Sequence, residues 1–132
     1  MTIVDAAVML GFAQMGEGNV TLTEIGTKFV NADILNSKEI FRVQVMERIP
    51  LIQTIVKTLG ARKSGTMRAD FFQDVLEEHF PAEESERQFK TAVDWGRYAE
   101  IFEYDAAGGW LTLSDSSSTV PFFQDVQKFL SS

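Results

Sequence analysis

Ile101-Phe102-Glu103-Tyr104-Asp105, then Ala106-Ala107-Gly108-Gly109, then Trp110-Leu111-Thr112-Leu113 is the stretch that decides the fold. Two short runs rich in β-branched and aromatic residues flank an Asp- and Gly-containing turn, the pattern of a β-hairpin. The chain before it keeps a different period. From about Met67, Phe71, Phe72, Val75, Leu76, His79 and Phe80 recur at i, i+1, i+4, i+5, i+8 and predict a core-facing helical stripe. Pro81 suits a first helical turn, and Glu83 and Glu84 favour the positive end of the helix it opens. Phe89, Ala92, Val93 and Gly96 give that helix a buried face. Further back, Leu51, Ile52, Ile55, Val56 and Leu59 mark a helix that stops at Gly60, and residues 61–65 form a basic loop. Three helices followed by a hairpin is the order of a winged helix. Residues 51–113 fit it with short loops, the helix after Pro81 taking the recognition position and residues 101–113 the wing. The expected class is mainly α (α+β), winged-helix-like, with two small hairpins.

The second of these hairpins lies near the start of the chain. Residues 5–10 read as the end of a helix with Gly11 as its left-handed stop. Phe12, Ala13 and Met15 lead into the turn Gly16-Glu17-Gly18-Asn19, and Val20-Thr21-Leu22 returns. Thr23 caps a helix expected to run to about Leu35, and Asn36 or Ser37, with Glu39, caps the next. Ala7-Val8-Met9-Leu10-Gly11-Phe12-Ala13 aligns with Ala92-Val93-Asp94-Trp95-Gly96-Arg97-Tyr98 at an offset of 85, and Leu22-Thr23 with Leu111-Thr112 at 89. The implied organisation is a partial winged-helix repeat over 1–50, a complete unit over 51–113, and a linker with an amphipathic helix over 114–132, forming one compact domain. The chain is then expected to begin inside the last helix of a first unit.

Composition narrows the function. The 132 residues carry 12 Lys+Arg against 19 Asp+Glu, a net charge of −7, with no Cys and one His. Thiol catalysis, disulfides, Cys-based zinc and multi-His metal sites are excluded within one chain. No secretory leader or long apolar span is visible, so a cytoplasmic protein without direct membrane insertion is expected. Residues 1–66 sum to +1 and residues 67–132 to −8. The acid therefore gathers on the unit that would have to read DNA. Duplex binding needs Lys and Arg against phosphates, so no nucleic-acid partner is expected.

The run Asp94-Trp95-Gly96-Arg97-Tyr98-Ala99-Glu100-Ile101-Phe102-Glu103-Tyr104-Asp105 is distinctive. With Leu10-Gly11-Phe12-Ala13, Leu22-Thr23, the region from Ala32-Asp33-Ile34 to Ile49-Pro50-Leu51, and Phe71-Phe72 to Phe80, it resembles the AAA-associated C-terminal domain. That domain follows the ATPase of some nitrate/sulfonate/bicarbonate-type ABC transporters. The resemblance covers the chain to about Leu113 and implies a regulatory or accessory module, cytoplasmic and peripheral to the inner membrane when attached to a transporter. The implied partner is the transporter's ATPase domain or another protein, with a homodimer as a further expectation. ATP hydrolysis would reside elsewhere, since no G-x-x-x-x-G-K-[ST] loop occurs in the sequence. No enzyme activity and no cofactor are expected of these residues.

The candidate interaction patch is Trp95, Arg97 and Tyr98 near the helix–wing junction, with Phe122, Phe123 and Phe129 on the last helix. Trp, Tyr and Arg are the types enriched in binding hot spots, although large aromatics more often serve a core. Arg97 is expected to pair with Asp94, Glu100 or Glu103. His79 is read as a hydrogen-bonded structural histidine on an apolar helix face. Glu77, Glu78, Glu83, Glu84 and Glu86 lack the calcium-loop pattern and read as a solvated helix-end cluster. Ser116, Ser117 and Ser118 have no histidine near them in sequence to act as a base. Two other function classes are weighed beside the protein-binding module. One is a winged-helix DNA-binding regulator; the other is a small-molecule sensor using a groove between the repeated units.

Overall fold

The computed structural model describes residues 2–114. In chain order it contains α1 (Ile3–Met9), β1 (Ala13–Gly16), β2 (Asn19–Leu22), α2 (Glu24–Asn31), α3 (Ile34–Arg48), α4 (Pro50–Gly60), β3 (Thr66–Arg68), α5 (Ala69–Glu77), α6 (Ala82–Tyr98), β4 (Phe102–Asp105) and β5 (Trp110–Leu113). The class is mainly helical with two small antiparallel sheets, as the hairpin and the helical stripes predict. The helix–helix–helix–hairpin order over 51–113 is that of a winged helix.

Strand β3 is the addition. Residues 66–68 were expected as the end of a loop and the start of a helix. They instead pair antiparallel with β5, Met67 facing Leu111, so the wing sheet has the order β3-β5-β4. Helix α5 therefore begins at Ala69 and ends at Glu77, before His79 and Phe80. The predicted stripe is split accordingly. Phe72 and Leu76 are buried, whereas Phe71 and Phe80 are exposed at the surface.

A second boundary also moves. The break between α2 and α3 falls at Ala32, and Asp33 is the cap, its side chain accepting from the Asn36 backbone N–H at 2.8 Å. Asn36 and Ser37 lie inside α3. Thr23 caps α2 as expected, accepting from the Gly26 N–H at 3.0 Å and donating to the Gly11 carbonyl at 2.6 Å. The buried residues of α4 follow i, i+3, i+4, i+7 and form one apolar stripe. Ile52, Ile55, Val56 and Leu59 enter one core with Val45 of α3, Phe72 of α5, Val93 of α6, and Phe102 and Leu111 of the wing.

Two glycines set how closely elements approach. A Cβ at Gly96 would lie 2.1 Å from the Phe102 ring, so α6 rests directly on β4. A Cβ at Gly26 would lie 1.9 Å from the Phe12 carbonyl oxygen, so α2 rests on backbone.

The two helix–hairpin junctions share a local geometry, at a register other than that of the sequence match. At the end of α1, the N–H of Gly11 donates to Val8 and that of Phe12 to Ala7. At the end of α6, the N–H of Glu100 donates to Arg97 and that of Ile101 to Gly96. Both are Schellman stops, with φ +81° at Gly11 and +59° at Glu100. Each hairpin closes the same way, Thr23 N–H to the Phe12 carbonyl and Ser114 N–H to the Ile101 carbonyl. Equivalence thus runs Gly11 with Glu100 and Phe12 with Ile101, one helical turn from the alignment of Gly11 on Gly96.

Helix α3 lies between the two stops and holds both. The Gln44 amide donates to the Leu10 carbonyl at 2.9 Å, and Arg42 Nε donates to the Ala99 carbonyl at 2.8 Å. Leu10 and Ala99 are equivalent positions in the repeat. Gln44 is one of only two buried polar residues, with Ser85, among the described residues. Its replacement by alanine strips the buried Leu10 carbonyl of its side-chain donor. The expected loss is about 1–2 kcal/mol of unfolding free energy, read as a lowered urea midpoint at unchanged slope.

Candidate functional site

The last two turns of α6 carry Trp95, Arg97 and Tyr98, and helical spacing divides them. Trp95 and Tyr98 stand three residues apart and turn towards α3. Both meet the buried Phe41 ring edge-on, Trp95 with centroids 6.3 Å apart and Tyr98 at 5.1 Å. Trp95 is half-buried against the core margin. Tyr98 is about half exposed, and the Lys38 ammonium sits 5.3 Å from its ring centroid. Around Tyr98 runs a polar collar. Lys38 and Arg42 both reach Glu100, at 3.4 and 3.6 Å, and Arg42 also reaches Glu39 at 3.1 Å. The aromatic pair is thus partly structural, and Tyr98 presents what remains of it to solvent.

Arg97 points elsewhere. It was expected to pair with Asp94, Glu100 or Glu103, yet it makes no ion pair among the described residues. Glu100 is taken by α3, because its left-handed backbone turns the carboxylate towards Lys38 and Arg42. Arg97 lines an open groove of about 590 Å³ along the outer face of α6. Phe89 and Val93 floor this groove, Gln73 of α5 and Tyr104 of β4 wall it, and Lys90, Asp94 and Arg97 stand along it. Glu83, Glu86 and Arg87 complete the rim. Three acids therefore face three bases. Arg87 is engaged by Glu84, whose carboxyl is held below its ordinary range by the hydrogen bond from Arg87 and a further one from Gln88. Glu84 stays charged at neutral pH and keeps Arg87 beside it, leaving Lys90 and Arg97 as the cations directed at the groove.

Sequence reading did not find this groove, since its walls come from three elements. Helical spacing of Lys90, Asp94 and Arg97 was the available signal. The structure thus separates the predicted patch into Trp95 with Tyr98 on one side and Arg97 on another. Phe122, Phe123 and Phe129 lie outside the described residues, as do Ser116, Ser117 and Ser118.

His79 follows α5 rather than lying on its apolar face, and its side chain is exposed with no hydrogen bond to another described residue. The expected structural role fails because the helix ends at Glu77, two residues earlier. Glu77, Glu78, Glu83 and Glu86 are exposed around the turn between α5 and α6, and no group of three acidic or histidine side chains among the described residues converges as a cation site. No described helix is long and apolar enough to cross a membrane.

Neither a curated protein nor a solved structure matches the chain significantly. A family model does: that of the C-terminal AAA-associated domain matches residues 1–105, from the first Schellman stop and hairpin through the α6 run that carries Trp95, Arg97 and Tyr98 into β4. The chain belongs to the C-terminal AAA-associated domain family, an accessory domain of AAA-type ATPases.

Proposed function

We propose that this domain is a non-catalytic regulatory module that binds the ATPase domain of an ABC importer for anions of the nitrate, sulfonate or bicarbonate type. The observation that carries this reading is the family match over residues 1–105, which spans the first hairpin, all six helices and the first strand of the wing hairpin. The chemistry of the surface supports it. Tyr98 offers a rigid aromatic face inside a polar collar, and the neighbouring groove offers Lys90 and Arg97 over an apolar floor. Rigid aromatics and arginine in a polar surround are what protein interfaces select. Binding here would bias the ATPase between its conformational or dimeric states, and hydrolysis would stay with the ATPase.

A duplex is a poor occupant of the same face. The helix in the recognition position sets Glu83, Glu86 and Asp94 against Arg87, Lys90 and Arg97, and the wing adds Glu103 and Asp105 with no base between Phe102 and Leu113. Counterion release from a phosphate backbone needs a net positive footprint, which is missing. The test is addition of the chain to the isolated ATPase domain, with affinity and hydrolysis rate both measured. Binding with an altered rate is the expected result; neither binding nor a rate change at large molar excess would end the reading.

A further inference from the structure

The two hairpin units differ in what covers them. In the complete unit, Ala92 and Val93 of α6 and Leu111 of the wing belong to the core, and Tyr104 and Leu113 border it. The repeat register places Ile3, Val4, Met15, Val20 and Leu22 at the matching positions of the first unit. Met15 faces Val20 across the hairpin, and Ala13 faces Leu22, so these side chains share one face as Tyr104–Leu111 and Phe102–Leu113 do. Ala92 and Leu111 are 1% and 0% exposed. Ile3 is 91% exposed, Met15 61%, Leu22 53% and Val20 48%. Among the described residues, a face with the apolar composition of a core is therefore left uncovered.

We propose that this face is the contact surface of a homodimer, with the α1–β1–β2 face of one copy packed on that of a second. Size and composition support a second copy. The five side chains leave on the order of 500 Å² of apolar surface exposed, at the upper end of what monomers carry. A standard interface buries about 800 Å² per partner, a little over half of it apolar, so the face matches the apolar share of one side. On the hairpin the face is formed by Ala13, Met15, Val20 and Leu22, none of them charged, so two copies meet there without like-charge repulsion. Sheet faces of this kind pack on one another with side chains interleaved, and a self-complementary patch closes under two-fold symmetry.

The absence of cysteine makes the test clean, because any introduced thiol is the only one in the chain. The full chain should sediment as a dimer at tens of micromolar, with an unfolding midpoint that rises with protein concentration. Met15→Lys and Val20→Lys should each weaken the dimer by roughly tenfold or more, while far-UV circular dichroism stays unchanged, since neither residue belongs to the core. On mild oxidation, Met15→Cys or Val20→Cys should form a covalent dimer, whereas Lys57→Cys on α4 should not. A chain that stays monomeric at about 100 µM overturns the proposal. A dimer indifferent to both lysine variants overturns it as well.

Discussion

Phe102→Ala is expected to lower the unfolding free energy by about 3–5 kcal/mol. The ring is 1% exposed and lies where the wing meets α6. Truncation removes the transfer free energy of an aromatic ring and leaves a cavity that the short strand β4 is poorly placed to fill. Gly96 determines why no larger neighbour can close it beforehand. With a would-be Cβ 2.1 Å from the Phe102 ring, Gly96→Ala alone overpacks the contact despite the better helix propensity of alanine. Combined with Phe102→Leu, the same alanine gains room. The two substitutions should therefore be non-additive, the double variant being more stable than the sum of the singles predicts, as urea titration of all four proteins will show.

Gly26→Ala should cost roughly 3 kcal/mol, near the upper end for overpacking, and its effect should be local. The added carbon would meet the Phe12 carbonyl oxygen, which is backbone and cannot rotate away. Phe12 N–H is tied to Ala7, and its carbonyl accepts from Thr23, so the hairpin holds that oxygen in place. Helix α2 must then lift. Lifting breaks the Phe12–Phe29 ring contact, centroids 4.4 Å apart, and strains the Thr23 cap. Hydrogen exchange should quicken across α2 and the first hairpin and stay slow in α4 and α6. Uniform acceleration across the whole chain would contradict a local effect.

The parts of the fold legible in the sequence are those with long periodic signals. The apolar stripes of α4 and α6, Pro81 at the α6 start and the turn before Trp110 each marked a true element. Strand β3 was hidden because three residues carry no period, and its pairing partner lies more than forty residues further on. The α2–α3 break was hidden because Ala32 has extended backbone without Gly or Pro to announce it, while Asp33, Asn36 and Ser37 compete as caps. The repeat register was misled by matching glycines. Gly11 holds a left-handed stop, and the same stop in the second unit is held by Glu100, a residue that ordinarily avoids that conformation. Lys38 and Arg42 secure its side chain there, a compensation visible only once α3 is in place.

Of the candidate site, the residue types were legible and their directions were not. Trp95 and Tyr98 turn inward to Phe41, because α3 crosses the C-terminal end of α6. Arg97 turns outward to the groove, because only there does helical spacing place it beside Lys90. The two sides can be probed separately. Tyr98→Ala removes the exposed aromatic with little loss of core, and Arg97→Glu reverses charge in the groove without touching Phe41.

Affinity of the full chain for the isolated ATPase domain, measured by titration calorimetry with these variants in parallel, tests the central claim. Saturable binding is expected, weakened roughly tenfold or more by Tyr98→Ala or Arg97→Glu, with the hydrolysis rate changing in step with occupancy. Absence of binding at about 100 µM, or binding that neither substitution alters, would contradict it.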